Sequence, residues 1–251
     1  MKKKRPFHRA EARATARTRS STLENHPADL TIQFPPEGEL RVRRIISRAA
    51  PRPTTKFFAL RLERYVHCES LLEVEVAELL DACPAATSFA EQAMLLTYTM
   101  SGEVREHIPD LVVRTATRRL VLEAKFLQTQ KEEDLQRAEY LRPLLAAQGY
   151  EYFLVDETHT RHHCYLQNAR FLLRRARMEP SEETKLLILH HVSTNGMTLG
   201  EAIDSPQMTD IMWMIWAGLL TIPMRDAFAP ATCITLPDEQ GGTPWALELF
   251  K

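Results

Sequence analysis

The stretch that most narrows what this chain can fold into is Ile108-Pro109-Asp110-Leu111-Val112-Val113, followed after a short polar break by Leu120-Val121-Leu122-Glu123-Ala124-Lys125. Both read as adjacent strands apolar enough to be buried, with an Asp at the end of one and a Glu-x-Lys at the end of the other. Charged side chains are rarely placed in a buried strand unless they are paired or hold a metal. Two carboxylates and a lysine converging at strand ends form a hard-oxygen site of the kind that holds Mg²⁺, with an ammonium beside it to serve a water or a developing negative charge. That layout suits a nuclease. The plainer alternative is an ordinary hairpin, with Asp110 in its turn and Glu123 and Lys125, two residues apart and so on one face, forming a solvated stripe. Short motifs match by chance, so the surrounding sequence carries the decision.

Charge is sharply segregated along the 251 residues, although the net charge is only −1. Residues 1–64 hold 16 Lys and Arg against 6 Asp and Glu, and residues 65–251 hold 16 against 27. A basic arm ahead of an acidic body points to a polyanion partner, most simply DNA or RNA, whereas a merely solubilising tail is the plainer reading. The four cysteines, Cys68, Cys83, Cys164 and Cys233, show neither metal nor disulfide spacing, which fits a reducing cytoplasmic compartment. Met1-Lys2-Lys3-Lys4-Arg5 is followed by no apolar run and is not read as a secretory signal. The most apolar window, Met208 to Leu220, is short and contains Asp210, so no membrane span is expected.

Residues 1–40 are rich in Arg, Ser, Thr and Pro without a sustained apolar period, and read as an arm disordered until it meets a partner. Beyond it, Arg41, Arg43, Arg44, Arg48, Lys56, Arg61 and Arg64 are interleaved with Phe57, Phe58 and Tyr65, a pattern that offers basic side chains to phosphates. Cys68 to Ala82 has a helical apolar repeat with Pro84 just past its end. Glu69 and Glu73 share one face of that helix, from which a carboxylate could complete a metal shell or simply be solvated. Strands are expected from Gln92 to Met100 and from Val104 to Val113, then the Glu-x-Lys strand, a charged helix from Thr129 to Gln148, a strand from Tyr150 to Val155, and a basic helix from Leu166 to Arg177. A meander followed by a crossover helix and another strand makes an α/β fold, a mixed sheet flanked by helices.

Glu179-Pro180-Ser181 resets the pattern. Residues 41–178 are therefore expected to form the main domain, and residues 179–251 a small one. The second contains three short helices and a hairpin made from Leu219 to Met224 and Thr232 to Leu236, a winged-helix-like module. Its third helix, with Met208, Met212, Trp213 and Trp216, is nearly free of positive charge, which suits packing or protein contact better than reading a DNA groove. His162-His163-Cys164 lacks a second ligand pair and is a weak zinc signal, and His190 and His191 suit a helix end.

From about Arg43 to Leu236 the chain resembles the TnsA family, the transposon-end endonuclease subunits of heteromeric transposases. The family's Ser-x-x-Glu is matched by Ser70-Leu71-Leu72-Glu73, which selects Glu73 over Glu69. Its Glu-Gln segment looks like Glu91-Gln92, its Asp motif like Pro109-Asp110, and its final motif like Glu123-Ala124-Lys125. The order and spacing of these motifs carry the resemblance, since none is specific alone. Ala93 and Phe126 stand where the family often has Pro. The resemblance implies a restriction-endonuclease-like catalytic domain cutting DNA at the 5′ ends of a mobile element with Mg²⁺, for which Mn²⁺ can substitute. Glu73, Asp110 and Glu123 would hold the metal, with Lys125 and Gln92 as further catalytic residues. Implied partners are transposon-end DNA, an integrase-type transposase that handles the 3′ ends, and an AAA+ regulator docking on the C-terminal module. A cytoplasmic, nucleoid-associated protein is expected.

Overall fold

The computed structural model describes residues 30–42 and 55–237. Its elements follow in the order β1 (Leu30–Gln33), β2 (Thr55–Ala59), β3 (Arg64–Cys68), α1 (Leu71–Ala82), β4 (Ser88–Glu91), β5 (Leu95–Met100), β6 (Glu103–His107), β7 (Leu111–Arg114) and β8 (Arg119–Ala124). After a 3-10 turn at Leu127–Thr129 come α2 (Glu132–Ala147), β9 (Glu151–Val155), α3 (Glu157–Thr160), α4 (Tyr165–Leu173), α5 (Glu182–Asn195), β10 (Met197–Thr198), α6 (Leu199–Asp204), α7 (Met208–Ala217) and β11 (Cys233–Ile234). The fold is mixed α/β.

The central sheet has the order β4-β7-β8-β9. Pairing is antiparallel from β4 through β8 and parallel between β8 and β9, the step that requires a crossover, supplied by α2. Leu120, Val121 and Leu122 are each fully buried, because β8 is covered on both faces. On one face Leu120, Leu122 and Val113 meet Val76, Leu79 and Leu80 of α1, whose start is capped by Ser70. On the other, Val121 and Tyr152 meet Leu141 and Leu145 of α2. Gly149, at φ 76°, makes the left-handed turn out of α2 that a residue with a side chain adopts only at a cost.

One expected strand is shortened and one is broken. The segment expected from Gln92 to Met100 is strand only from Leu95, as β5, with β4 an unexpected strand ahead of it, and the one expected from Val104 to Val113 divides into β6 and β7. β4 and β7 join the central sheet, while β5 and β6 form a second sheet in the order β1-β5-β6. The interruptions between β4 and β5 and between β6 and β7 fall at one level. Gln92 takes a positive φ of 46° and donates its N–H to the Asp110 carbonyl at 2.9 Å, and Pro109 has no N–H to continue the ladder.

Residues 30–40, assigned by sequence to the arm, include β1, whose Leu30 is buried against the second sheet. The arm itself over residues 1–29, with Arg43, Arg44 and Arg48, lies outside the described residues. The C-terminal hairpin is also redrawn. Its two expected strands share only a bridge between Thr221 and Thr235, and Cys233–Ile234 pairs antiparallel with Met197–Thr198 instead. Pro223, lacking an N–H, stops the first of them early. Ile188, Leu199, Ile211 and Met214 of this module share one hydrophobic core with Val76 and Leu80 of α1, so the core runs across the expected boundary at residue 179. Among the described residues no helix is long and apolar enough to cross a membrane.

Candidate functional site

Strand register brings three of the sequence-selected residues together. Glu91 is opposite Leu111, and Leu111 is opposite Leu122, so Gln92, Asp110 and Glu123 line up one step further along β4, β7 and β8. The Gln92 N–H to Asp110 carbonyl bond continues the row. Directly opposed residues share a face of an antiparallel pair, which presents Asp110 and Glu123 side by side. The Asp110 carboxylate is fastened there by the Ala124 backbone N–H at 2.8 Å. That single bond ties the Pro-Asp motif to the Glu-x-Lys motif.

Asp110 retains some exposed surface, but protein surrounds its carboxylate on most sides. Burial, then the negative charges of Glu123 and Glu73, hold its carboxyl well above the usual carboxylate range against the lowering effect of the Ala124 N–H. Glu73 is likewise raised, by burial first and then by the charges of Glu69 and Glu123, although N–H and hydroxyl partners at Glu69 and Ser70 oppose the shift. The three carboxylates therefore sense one another, and buried like charges at such a site favour a cation.

Glu73 also has a local structural role. Ser70 Oγ accepts from the Glu73 N–H at 3.1 Å, and Glu73 Oε2 accepts from the Glu69 N–H at 2.8 Å. Ser-x-x-Glu is thus a capping arrangement at the start of α1 as well as a candidate ligand motif. Gln92 Nε2 donates to Glu69 Oε1 at 3.3 Å, and its buried Oε1 has no aligned partner.

Glu123 is met by residues that the sequence did not single out. Its Oε2 stands 3.1 Å from His107 Nε2, and its Oε1 stands 3.5 Å from Arg137 of α2. Arg137 also pairs with Asp134 at 2.7 Å, and Asp134 lies 3.7 Å from Lys125 Nζ. Lys125 faces this α2 carboxylate, with about a third of its side chain exposed. Tyr152 hydroxyl is buried beside the cluster without an aligned partner, and burial together with the Glu123 charge pushes it up. His107 carried a weak signal three residues before Asp110. Arg137 and Asp134 carried none, because α2 reaches Glu123 only through the crossover.

Of the described basic residues expected to meet phosphate, Arg41 and Arg64 pair with buried Glu91 at 3.7 and 2.9 Å. Arg61 is turned inward, its guanidinium donating to the carbonyls of Asp81 and Trp216 and lying 4.7 Å over the Trp216 ring. Lys56 is exposed on β2.

The donor chemistry suits a hard divalent ion: carboxylate oxygens with raised proton affinity beside the buried Gln92 Oε1, which lacks an aligned partner. Among the described residues, however, no group of three or more His, Cys, Asp or Glu side chains is gathered closely enough to enclose an ion.

No protein-family model matches the chain, and no curated protein does. A solved structure, protein VC1899 from Vibrio cholerae, is similar over 34% of this chain and 23% of its own, at 17% identity and a TM-score of 0.26, a likeness too slight to bear on fold or chemistry.

Proposed function

We propose that the protein is a Mg²⁺-dependent DNA endonuclease, the transposase subunit that cuts phosphodiester bonds at the 5′ ends of a mobile element, as its similarity to the TnsA family implies. The observation that carries this reading is the Asp110 carboxylate held on the Ala124 N–H in register with Glu123. Support for a restriction-endonuclease-like core comes from the succession of α1, three antiparallel strands, crossover helix and parallel strand. Three helices, with β10 between the first two and β11 beside it, support a winged-helix-like module.

Asp110 and Glu123 would hold the ion, with Glu73 completing its shell from α1; Mn²⁺ would substitute. When bound there, Mg²⁺ would supply Lewis-acid polarisation of the phosphoryl oxygen and a lowered pKa for a bound water. Lys125, at the accessible strand end, orients the attacking water or stabilises charge on the pentavalent phosphate. Asp134 positions the ammonium of Lys125, and Gln92 supports the water from the neighbouring strand. End recognition falls to an integrase-type partner transposase, and the C-terminal module docks an AAA+ regulator.

A second reading, a non-catalytic DNA-binding or scaffold subunit, draws on one observation: Glu123 is already faced by Arg137 and His107. A restriction or repair nuclease of the same fold would share the site. The deciding experiment is strand-resolved cleavage of a transposon-end duplex with partner transposase and regulator present. Loss of 5′-side cuts alone in Asp110→Ala supports the endonuclease. Identical cuts by variant and wild type would make the cluster structural.

A further inference from the structure

A basic groove begins beside the candidate site and runs along α4. Its first wall is Arg161, which donates to Glu75 at 3.0 Å and lies 5.8 Å over the ring of Phe126, the residue that follows Lys125. A cavity of about 640 Å³ extends from there between α4 and the segment Phe228-Ala229-Pro230, lined by four arginines against one glutamate. A second cavity of about 240 Å³ adjoins it, sharing Arg170 and Arg174 and adding Arg177.

The acidic residues along this path are already matched. Glu75 is paired with Arg161, and Glu78 with Arg170 at 2.8 Å. Asp81 accepts from the backbone N–H groups of Leu60 and Arg61. Among the described residues Arg174, Arg175 and Arg177 form no salt bridge to a carboxylate, although the Arg174 charge also acts on Glu78, and Arg175 is stacked 3.7 Å over Phe171, which braces it at the groove's edge. Arg170 and Arg174 are four residues apart, a rise of about 6 Å along a helix. This is a line of positive charge open to solvent, and a line fits a chain of phosphates better than a single small anion.

We propose that this groove takes the sugar-phosphate backbone of DNA leading away from the candidate site, with Arg174, Arg175 and Arg177 on its phosphates. The proposal rests on the nuclease reading for the direction of the strand. Binding itself is measured independently of cleavage.

The test is fluorescence anisotropy of the full chain with a fluorescein-labelled DNA duplex in EDTA, titrated across salt. Arg174→Glu/Arg177→Glu alters two exposed side chains, and Arg174→Gln/Arg177→Gln removes the charges without reversing them. Both are expected to melt like wild type, weaken binding about tenfold or more and lower the salt slope by about two. Unchanged affinity and slope in both arginine variants would overturn the proposal, as would an equal loss from Arg105→Glu/Arg114→Glu, two arginines on β6 and β7. If instead Asp110→Ala still cuts, the nuclease reading fails while the groove stands or falls on its own slope.

Discussion

At the scale of single residues, Asp110 is the pivot, because one carboxylate is both tied to β8 and pressed by two other carboxylates. A group in that position is relieved by a cation. Mg²⁺ or Mn²⁺ is therefore expected to raise the melting temperature, by the equivalent of about 2.7 kcal/mol at a hundredfold excess over Kd, and Asp110→Ala to abolish the shift. Differential scanning fluorimetry with and without metal checks this; an equal shift in the variant would place the ion elsewhere. Arg137 gives the complementary prediction. Its guanidinium partly occupies the place of a cation at Glu123, so Arg137→Ala is expected to cost about 1–3 kcal/mol without metal, because it leaves the buried Glu123 carboxylate with His107 alone. The same variant should then gain more from Mg²⁺ than wild type does. A smaller gain would mean that Arg137 helps the ion bind instead of standing in for it.

Whole elements place these residues, and some of their placement is legible in the sequence. The helix α1 is legible because Val76, Leu79 and Leu80 recur at helical spacing between Ser70 and Pro84. The strand β8 is legible because an unbroken apolar run ending in charges suits a central strand. The paired breaks at Gln92 and Pro109 are less so: Pro109 is a visible stop, but the left-handed Gln92 opposite it is a tertiary accommodation. The four-residue β1 gains its strand character from pairing with Leu95–Tyr98, a partner far along the chain, and strands of two residues such as β10 and β11 have no periodicity to read. Two interactions that seat the elements can be tested. Ser70→Ala removes the cap of α1 and is expected to cost about 1 kcal/mol by urea denaturation. Arg118 and Glu151 clamp the starts of β8 and β9 through two bonds of 2.8 and 2.7 Å. The Arg118 partner holds the Glu151 carboxyl below the usual range, so its stabilisation is present above the ordinary Glu pKa and is lost as pH falls through the lowered one. The pair is partly exposed, so Arg118→Ala should cost no more than about 1 kcal/mol at neutral pH and nothing in acid.

On the scale of the whole molecule, the C-terminal helices belong to the same packed body as the candidate site. The indole N–H of Trp216 donates to the Asp81 carbonyl at 2.8 Å, Arg61 joins both residues, and the hydrophobic core passes without a gap from α1 to α7. Gly218 closes the contact. It sits at φ 83°, and a Cβ there would lie 2.9 Å from the Pro84 side chain, at the end of α1. A charge-poor α7 is thereby explained: its apolar face is spent on packing, and the arginines of the groove lie instead on and just beyond α4. Because the two halves share buried surface, calorimetry should show one unfolding transition, not two. Trp216→Phe keeps an aromatic ring but leaves the Asp81 carbonyl with Arg61 as its side-chain donor, and is expected to cost about 1 kcal/mol. Trp216→Ala removes the packing too and should cost about 3 kcal/mol while keeping the transition single. Two separated transitions in the wild type would mean that the C-terminal module folds by itself.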